Sequence, residues 1–386
     1  MKQLSYNALK VKESSTLAIT AKAKALKSAG ENIIAFTAGE PDFDTPEHIK
    51  QAAFMAAKEG FTKYTATPGI VELREAICHK LKQDNQLEYS PSQIVVANGA
   101  KHALSNTFSA MINDGDEIII IGPYWLTYPD LVVLAGGVPV FITTDKQSGY
   151  KPTREQIESA ITSKTKAIVI NSPNNPSGAV LTFDELNYIA KIAVKHDLYI
   201  ISDEIYEKLI YNDNTPHISI ASLGKDIFER TIVVNGYSKS YAMTGWRAGY
   251  TASNKELATV MGNIQGHRTS NINTLTQKAA LAAETGDKTC IEHMRVVFKK
   301  RRDLMISLVN DIPRLDAIMP DGAFYVFADI KTNAADFAAQ ILEQEKVVLI
   351  PCADFGYENH IRLSYACSEE DIIEGMTRIK RFLKRS

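Results

Sequence analysis

The segment TIVVNGYSKSYAMTGWRAGYTAS (residues 231–253) decides the fold. It joins two strand-like runs, and two cations, Lys239 and Arg247, stand between them among apolar, small or hydroxylated residues. A single lysine or arginine is ordinarily exposed to solvent. The alternative is that Lys239 is a covalent catalyst and that Arg247 holds an anion beside it.

Five further runs of the same kind precede this segment. They are rich in β-branched residues and mostly apolar, which suits strands that are buried on both faces. The runs are QIVVA (93–97), DEIIII (116–121), VPVFI (138–142), KAIVINS (166–172) and LYIISD (198–203). Helical patterns alternate with them, and Thr182 and Glu185 form a capping box at the start of one. The segment 93–252 is therefore predicted to be an α/β domain with a mainly parallel sheet covered by helices.

The pattern changes after residue 286. A long charged helix is predicted over 290–311, and its basic cluster KKRR (299–302) is interpreted as a solvated face. Three strands and a closing helix follow; they are GAFYVFADI (322–330), KVVLIP (346–351), HIRLSYA (360–366) and the helix over 368–384. We therefore predict an N-terminal arm at 1–45 that packs with a smaller α+β domain, a large domain at 46–285, and the small domain at 286–386.

Composition narrows the class of protein. The chain has 386 residues, more than one hydrophobic core usually supports, and its formal net charge of −2 provides no basic field for nucleic acid or anionic membrane. No apolar run approaches the ~20 residues of a membrane span, and we find no signal-peptide pattern. The cysteines are far apart and indicate neither disulfides nor zinc; they are Cys78, Cys290, Cys352 and Cys367. We expect a cytoplasmic protein that acts on small molecules, with no nucleic-acid, membrane or metal partner.

A lysine in a loop after a buried strand can form a Schiff base with the aldehyde of pyridoxal phosphate. The phosphate of this cofactor needs hydrogen-bond donors, and the strand-to-helix turn at Gly99 and Ala100 predicts a helix N-terminus that supplies them. Arg247 is able to add a bidentate contact. Many α/β turns look similar, so this turn is weak evidence by itself.

The cofactor ring also needs partners, and two loops offer them. Asp203 ends an apolar strand, where it is able to pair with a protonated ring nitrogen, and Tyr206 is able to donate to the ring oxygen. The loop NSPNNPSGAV (171–180) offers Asn171, Asn174 and Asn175 as further donors. An aspartate that caps a helix and an ordinary surface turn are the alternatives for these two segments.

These residues occur within motifs that run over essentially the whole chain. The motifs include AGEPDFDTP, KYTATPGIVELREAI, GPYWLTYP, NSPNNPSGAV, SDEIYEKLIY, SKSYAMTGWRAGY, GAFYVF and IRLSYA. In them the sequence resembles the class I aminotransferase family of pyridoxal-phosphate enzymes. The resemblance implies fold type I, with a mainly parallel seven-stranded sheet in a large domain and a smaller α+β domain. It also implies a cytoplasmic homodimer with shared active sites.

The resemblance assigns roles to individual residues. Lys239 carries the cofactor and moves the proton at the substrate α-carbon, and Arg362 binds the α-carboxylate with help from Gly39. The implied cofactor-binding residues are Gly99, Ala100, Lys101, Trp125, Asn175, Asp203, Tyr206, Ser238, Lys239, Arg247 and, from a second subunit, Tyr64. Gly236 departs from a serine that is frequent in the family three residues before the lysine, and we expect weaker cofactor retention from this change.

The substrate is predicted from Lys101. In the bacterial aspartate aminotransferase subgroup a lysine at this position, with hydroxyls such as Ser14 and Thr16, is associated with a distal carboxylate. Trp125 and Asn175 complete the implied substrate-binding set. Aspartate with 2-oxoglutarate is the favoured pair, in a ping-pong reaction. An alternative is that Lys101 only assists the phosphate.

Other activities stay open at this stage. Prephenate, aromatic or other amino-acid substrates fit the same family, and a carbon–sulfur lyase would keep Lys239, Asp203 and Arg362. A nicotinamide dehydrogenase is disfavoured because no GxGxxG follows a strand. A regulator with a fused DNA-binding module is disfavoured because we expect no room for one at either end.

Overall fold

The computed structural model describes residues 2–11, 13–212 and 216–385. Its strands, in chain order, are β1 (Ile34–Ala35), β2 (Ile94–Ala97), β3 (Glu117–Ile121), β4 (Val138–Ile142), β5 (Thr165–Asn171), β6 (Tyr199–Asp203), β7 (Thr231–Gly236), β8 (Gly249–Ala252), β9 (Asp316–Ala317), β10 (Tyr325–Asp329), β11 (Val347–Val348), β12 (Ile350–Pro351) and β13 (His360–Ser364).

The α-helices of the described residues alternate with these strands. They are α1 (Tyr6–Lys10), α2 (Ser15–Ser28), α3 (Glu47–Lys58), α4 (Val71–Asn85), α5 (Ala100–Met111), α6 (Thr127–Leu134), α7 (Arg154–Ala160), α8 (Phe183–Lys195), α9 (Lys225–Arg230), α10 (Lys255–Arg268), α11 (Thr274–Thr285), α12 (Thr289–Asn310), α13 (Ala334–Glu345) and α14 (Glu369–Arg385). None of them is long and apolar enough to cross a bilayer.

The central sheet has seven strands in the order β2-β8-β7-β6-β5-β3-β4. All neighbouring pairs are parallel except the two that involve β8, which runs antiparallel to β2 and to β7. The predicted fold class is therefore confirmed. The carboxyl ends of β2, β5, β6 and β7 all lie at one edge of this sheet, because β2 and β7 both oppose β8.

Helices cover both faces of the sheet, as the apolar strand runs predict. On one face Leu104 and Phe108 of α5 pack with Val95 and Val234. On the other, Leu186 and Ile189 of α8 pack with Ile168 and Ile200. The capping box at the start of α8 is present, since Thr182 accepts from the Glu185 amide and Glu185 accepts from the Thr182 amide.

A second sheet of four strands, β12-β13-β10-β9, lies in the C-terminal part of the chain. The predicted run KVVLIP divides between two sheets: β11 pairs with β1, whereas β12 pairs with β13. The β1–β11 pair joins the N-terminal segment to this C-terminal part. The boundaries at residues 45 and 285 stay a prediction.

The long helix α12 corrects the interpretation of the KKRR cluster. Lys300 is exposed, but Arg302 is buried, and its guanidinium donates to the Pro320 carbonyl at 3.1 Å and pairs with Asp303 at 2.7 Å. The guanidinium also lies 5.1 Å from the Tyr211 ring centroid. This part of the cluster is a packing element, because a basic run on a helix with a buried stripe cannot keep every member in water.

Candidate active site

A cavity of about 410 Å³ opens at the carboxyl edge of the large sheet. Asp203 ends β6, Ser238 and Lys239 follow β7, and Ala100 begins the helix after β2. All the residues implied for the site line this cavity except Gly99 and Tyr64. Sheet topology therefore brings together side chains that are far apart in the sequence.

Asp203 is a buried acid without a cationic partner. Its Oδ2 accepts from the Tyr128 hydroxyl at 2.7 Å, and its Oδ1 accepts from the Ile205 amide at 3.3 Å. No cation among the described residues forms an ion pair with it. Burial raises the pKa of Asp203 to about 6, although these hydrogen bonds act in the opposite direction. The carboxylate is thus held in a place that favours an added positive charge.

Lys239 has an unusually acidic ammonium group. Burial lowers the pKa of Lys239 to about 8, and Arg362 and Arg247 act in the same direction, whereas Glu40 opposes them. The Lys239 Nζ donates to the Gly39 carbonyl at 2.5 Å. A substantial fraction of this lysine is therefore a neutral amine near pH 8, as a nucleophile or a general base requires.

The turn between β2 and α5 is shaped around Arg247. Gly99 has a φ of 82°, and a Cβ at this position would lie 2.5 Å from the Arg247 Nη2. The Arg247 guanidinium donates to the Asn98 carbonyl at 3.3 Å and to the Thr244 carbonyl at 2.9 Å. Only a glycine lets the arginine lie this close to the N-terminus of α5. Together they form a concave surface of donors for an anion.

Arg362, on β13, is 2% exposed and has no carboxylate partner in the described part of the chain. Its guanidinium donates to the Asn175 side-chain oxygen at 3.0 Å and to the Thr37 carbonyl at 3.2 Å, and it lies 4.3 Å from the Tyr325 ring centroid. Its Nε is buried without an acceptor. A buried arginine with unused donors is a place for a carboxylate ligand, because its burial is otherwise costly.

The other predicted substrate residues also line the cavity. The Lys101 Nζ lies 5.0 Å from the Trp125 ring centroid, and burial together with Arg247 lowers the Lys101 pKa. Ser14 lines the cavity beside Thr16, whose Oγ1 is buried without a partner. The cavity lining therefore includes the Lys101 ammonium, the Trp125 ring and the Thr16 hydroxyl, which has no hydrogen-bond partner.

Two tyrosines of the site were missed by sequence reasoning. Tyr128 supports Asp203, and Tyr325 bonds to the Tyr206 hydroxyl at 2.9 Å and packs on Arg362. Both occur in motifs already noted, GPYWLTYP and GAFYVF, but no spacing rule links either tyrosine to its partner. Their roles depend on contacts between distant segments.

Tyr64 and Gly236 are not among the residues that line the cavity. Tyr64 lies outside the cavity and is 90% exposed. Gly236 is buried at the end of β7, and a Cβ there would lie 2.8 Å from the Gly249 Cα and 2.9 Å from the Ala248 carbonyl oxygen. A serine does not fit at residue 236 unless this backbone moves. Weaker cofactor retention from Gly236 stays a prediction.

A mainly parallel sheet whose carboxyl edge carries a lysine and an acid without an ion pair in the described residues, with a buried arginine from a second sheet, defines an α/β enzyme of fold type I. Residues 31–379 match the family "Aminotransferase class I and II". The chain belongs to this family.

Several relatives are similar over their whole length. The chain is 47% identical to an aspartate aminotransferase of Bacillus sp. (strain YM-2), with 100% of each chain covered. It is 43% identical to an aspartate/prephenate aminotransferase of Cereibacter sphaeroides, with 98% of each chain covered. A solved aspartate aminotransferase from Thermus thermophilus with maleate has a TM-score of 0.95 and 42% identity, over 99% of this chain and 100% of that one.

Proposed function

We propose that this aminotransferase moves the amino group of L-aspartate to 2-oxoglutarate with pyridoxal 5'-phosphate as its cofactor. The observation that carries the proposal is that two cations, Arg362 and Lys101, line the same cavity as Lys239. A dicarboxylic amino acid supplies one carboxylate to each. The names of the Bacillus and Thermus relatives, and the maleate of the Thermus structure, support the same substrate class.

The cavity fits the proposed cofactor. The surface around Gly99 accepts a phosphate, with Ala100, Ser238 and Arg247 as donors, because a Cβ at residue 99 would fill that space. Among the described residues Asp203 forms no ion pair, and a protonated ring nitrogen would provide one. Trp125 would stack on the ring, and Asn175 and Tyr206 would hydrogen-bond its oxygen. When bound, pyridoxal phosphate supplies the aldehyde and the electron-withdrawing ring that aminotransfer chemistry needs.

The protein's own residues then have distinct tasks. Arg362 binds the α-carboxylate through its guanidinium and orients the α-carbon toward Lys239, assisted by the Gly39 backbone. Lys101 binds the distal carboxylate, with Ser14 and Thr16 beside it. The Lys239 amine, with a pKa lowered to about 8, takes the proton from the α-carbon. Movement of the smaller unit that carries Arg362 excludes water from the reaction.

We propose a homodimer in which Tyr64 of each chain reaches the phosphate of the other. Tyr64 is almost fully exposed, and an open cavity of about 760 Å³ borders Arg247, with Phe54 and Trp246 among its walls. Insertion of a partner segment there explains why such apolar surface is exposed. Tyr64→Phe is expected to weaken cofactor binding in the dimer without changing its mass in solution. We place the enzyme in the cytoplasm.

Prephenate is the second candidate substrate. It carries two carboxylates, so Arg362 and Lys101 fit it as they fit aspartate, and the Cereibacter relative is named for both activities. Assays of several amino donors with prephenate as the amino acceptor distinguish an enzyme with both activities from one that is restricted to aspartate. A carbon–sulfur lyase stays a weaker alternative, which pyruvate release without an amino acceptor would reveal.

The proposal is tested on the cofactor-loaded enzyme by stopped-flow absorbance with aspartate, glutamate, alanine and phenylalanine. Aspartate is expected to react fastest, and Lys101→Ala is expected to lower its kcat/KM by ~10- to 100-fold, the size of a hydrogen bond to a charged group, with little change for alanine. Borohydride reduction and peptide mapping should place the pyridoxyl label on Lys239. A label elsewhere, or equal reaction of aspartate and alanine, contradicts the proposal.

A further inference from the structure

We propose that Lys24, on helix α2, is a specificity residue that binds the far carboxylate of dicarboxylic substrates longer than aspartate. The inference rests on the proposed function, because it assumes that the cavity accepts dicarboxylic acids. Lys24 lines the same cavity as Lys101. Lys24 would provide a second cation for the distal carboxylate, at a position farther along the substrate from Lys239.

Helix α2 presents two neighbouring stripes. One is apolar: Ile19 and Ala23 pack against a cluster that includes Ile33 and Val348. The other faces the cavity; it contains the polar residues Thr16, Thr20 and Lys24, with Leu17 beside them. These three residues are spaced by four, so they stack on one side of the helix. The apolar stripe therefore fixes which side of α2 the substrate meets.

The geometry of a helix directs Lys24 toward this column. Side chains of an α-helix lean toward its N-terminus, so the long Lys24 side chain extends back over Thr20. Successive residues of the column are ~6 Å apart along the axis. The Thr16 Oγ1 is buried without a partner, while Thr20 donates to the Thr16 carbonyl at 2.8 Å. Lys24 is the most exposed to solvent of the three and ends the column on its C-terminal side.

The charges of the cavity leave Lys24 without a counterion. The cavity contains five cations and two acids; they are Lys24, Lys101, Lys239, Arg247, Arg362, Glu40 and Asp203. Under the proposed function the phosphate engages Arg247, the α-carboxylate engages Arg362, and the distal carboxylate of a four-carbon substrate engages Lys101. No carboxylate in the described ranges forms an ion pair with Lys24. An anion beyond the reach of Lys101 is the ligand that this arrangement accommodates.

An aminotransferase that exchanges aspartate with 2-oxoglutarate handles two chain lengths in one cavity. Each additional methylene moves the distal carboxylate away from the α-carbon that Arg362 and Lys239 hold. A lysine is suited to follow it, since its flexible stem carries a compact charge that needs no fixed geometry. The substrate class assigned to Lys24 is therefore dicarboxylates of five and six carbons.

The test compares cofactor-loaded parent enzyme with Lys24→Ala on aspartate, glutamate and 2-aminoadipate. We expect KM for 2-aminoadipate to rise about threefold to fivefold, the size that an exposed ion pair supports, with a smaller rise for glutamate and the smallest for aspartate. The kcat should change less than KM. Inhibition constants of succinate, glutarate and adipate should follow the same order without turnover. Lys24→Arg should restore the parent pattern, and raised salt should reduce the difference.

Lys22→Ala is the matched control, because Lys22 is also exposed on α2 but does not line the cavity. Equal loss for all three chain lengths in Lys24→Ala overturns the inference and leaves the proposed function standing. The same length dependence in Lys22→Ala overturns it too, since it would show a general effect of helix charge. A parent enzyme that rejects every dicarboxylate overturns both.

Discussion

Two clusters of buried charge lie on either side of the segment 203–207, and they are built in opposite ways. On the cavity side, Asp203 forms no ion pair with any described residue, and burial raises its pKa to about 6. On the other side, Glu207 pairs with Lys80 and accepts from the Asn85 amide at 2.9 Å. Burial by itself raises the pKa of Glu207, but Lys80, Lys208 and His217 together hold it well below its usual range.

The second cluster satisfies its own charges. Glu204 accepts from the Ser202 and Ser219 hydroxyls at 2.8 and 2.7 Å, and it bonds to His217 at 3.0 Å. These ion pairs and hydrogen bonds compensate the burial of both carboxylates and contribute to the fold. In the cavity, Asp203 and Arg362 are buried, and neither forms an ion pair with a described residue. The difference teaches that a ligand site is marked by unpaired buried charge more than by buried charge itself.

The largest effect that tests this comparison is expected from Lys239→Ala. Removing the amine should lower turnover of the loaded enzyme by about 10⁴-fold, because no other described group is placed to move the proton. The fold should persist, since Lys239 forms no ion pair in the described residues. Steady-state kinetics and thermal melting measure the two quantities. A variant that keeps its turnover would remove Lys239 from the mechanism.

Lys80→Met should give the reverse pattern. It leaves Glu207 buried without its ammonium partner, and we expect the free energy of unfolding to fall by about 3–5 kcal/mol. Turnover of the molecules that stay folded should remain close to that of the parent. The double variant with Lys80→Met and Glu207→Gln should recover part of the lost free energy of unfolding. Urea titrations of the parent, Lys80→Met and the double variant measure this recovery. Equal stability of parent and Lys80→Met would show that the pair is not a structural element.

These clusters also show how far the sequence predicted the molecule. The strand runs and the capping box at Thr182 are local signals, and each appears at the predicted place to within a few residues. Asp203 and Lys239 were found because chemistry in an α/β sheet collects at strand ends. Their roles stay predictions, but the cavity they share follows from topology.

The rest depends on contacts that no local pattern encodes. The Asn85–Glu207 bond spans 122 residues, and the Tyr128–Asp203 bond spans 75. A lysine such as Lys80 on an amphipathic helix is ordinarily solvated, and only the packing of α4 against the segment after β6 buries it. The division of KVVLIP between two sheets has the same origin, because both partners lie elsewhere in the chain.

Asp203→Asn should stabilise the cofactor-free protein while impairing its function. An acid whose folded pKa is raised from 3.8 to about 6 binds protons more tightly when folded, so its stabilising contribution is lost as pH rises through that range. Above pH 6 the ionised group costs up to about 3 kcal/mol, which the amide removes. Urea titrations at pH 4 and pH 8 should show the gain mainly at pH 8.

Glu207→Gln should change the stability at pH 8 in the opposite direction. Its folded pKa lies below the ordinary value, so its contribution is present above the unfolded pKa and is lost as pH falls. At pH 8 this variant should therefore be less stable than the parent, whereas Asp203→Asn should be more stable. If both variants shift in the same direction at pH 8, the contrast between paired and unpaired acids is wrong.

The smallest effect concerns how pH would control the proposed attachment of pyridoxal phosphate to Lys239. Because burial and the neighbouring arginines lower the Lys239 pKa to about 8, the neutral amine should increase about tenfold between pH 7 and pH 9 and then level off. Pyridoxal phosphate is added to cofactor-free protein, and samples are reduced with borohydride at successive times. The measurement is the rate at which the label on Lys239 increases. Glu40 opposes the shift, so Glu40→Gln should move the midpoint to lower pH. A rate that continues to rise to pH 10 would show an ordinary lysine, and the cavity would then lack the uncompensated burial that distinguishes it from the paired cluster of Lys80 and Glu207.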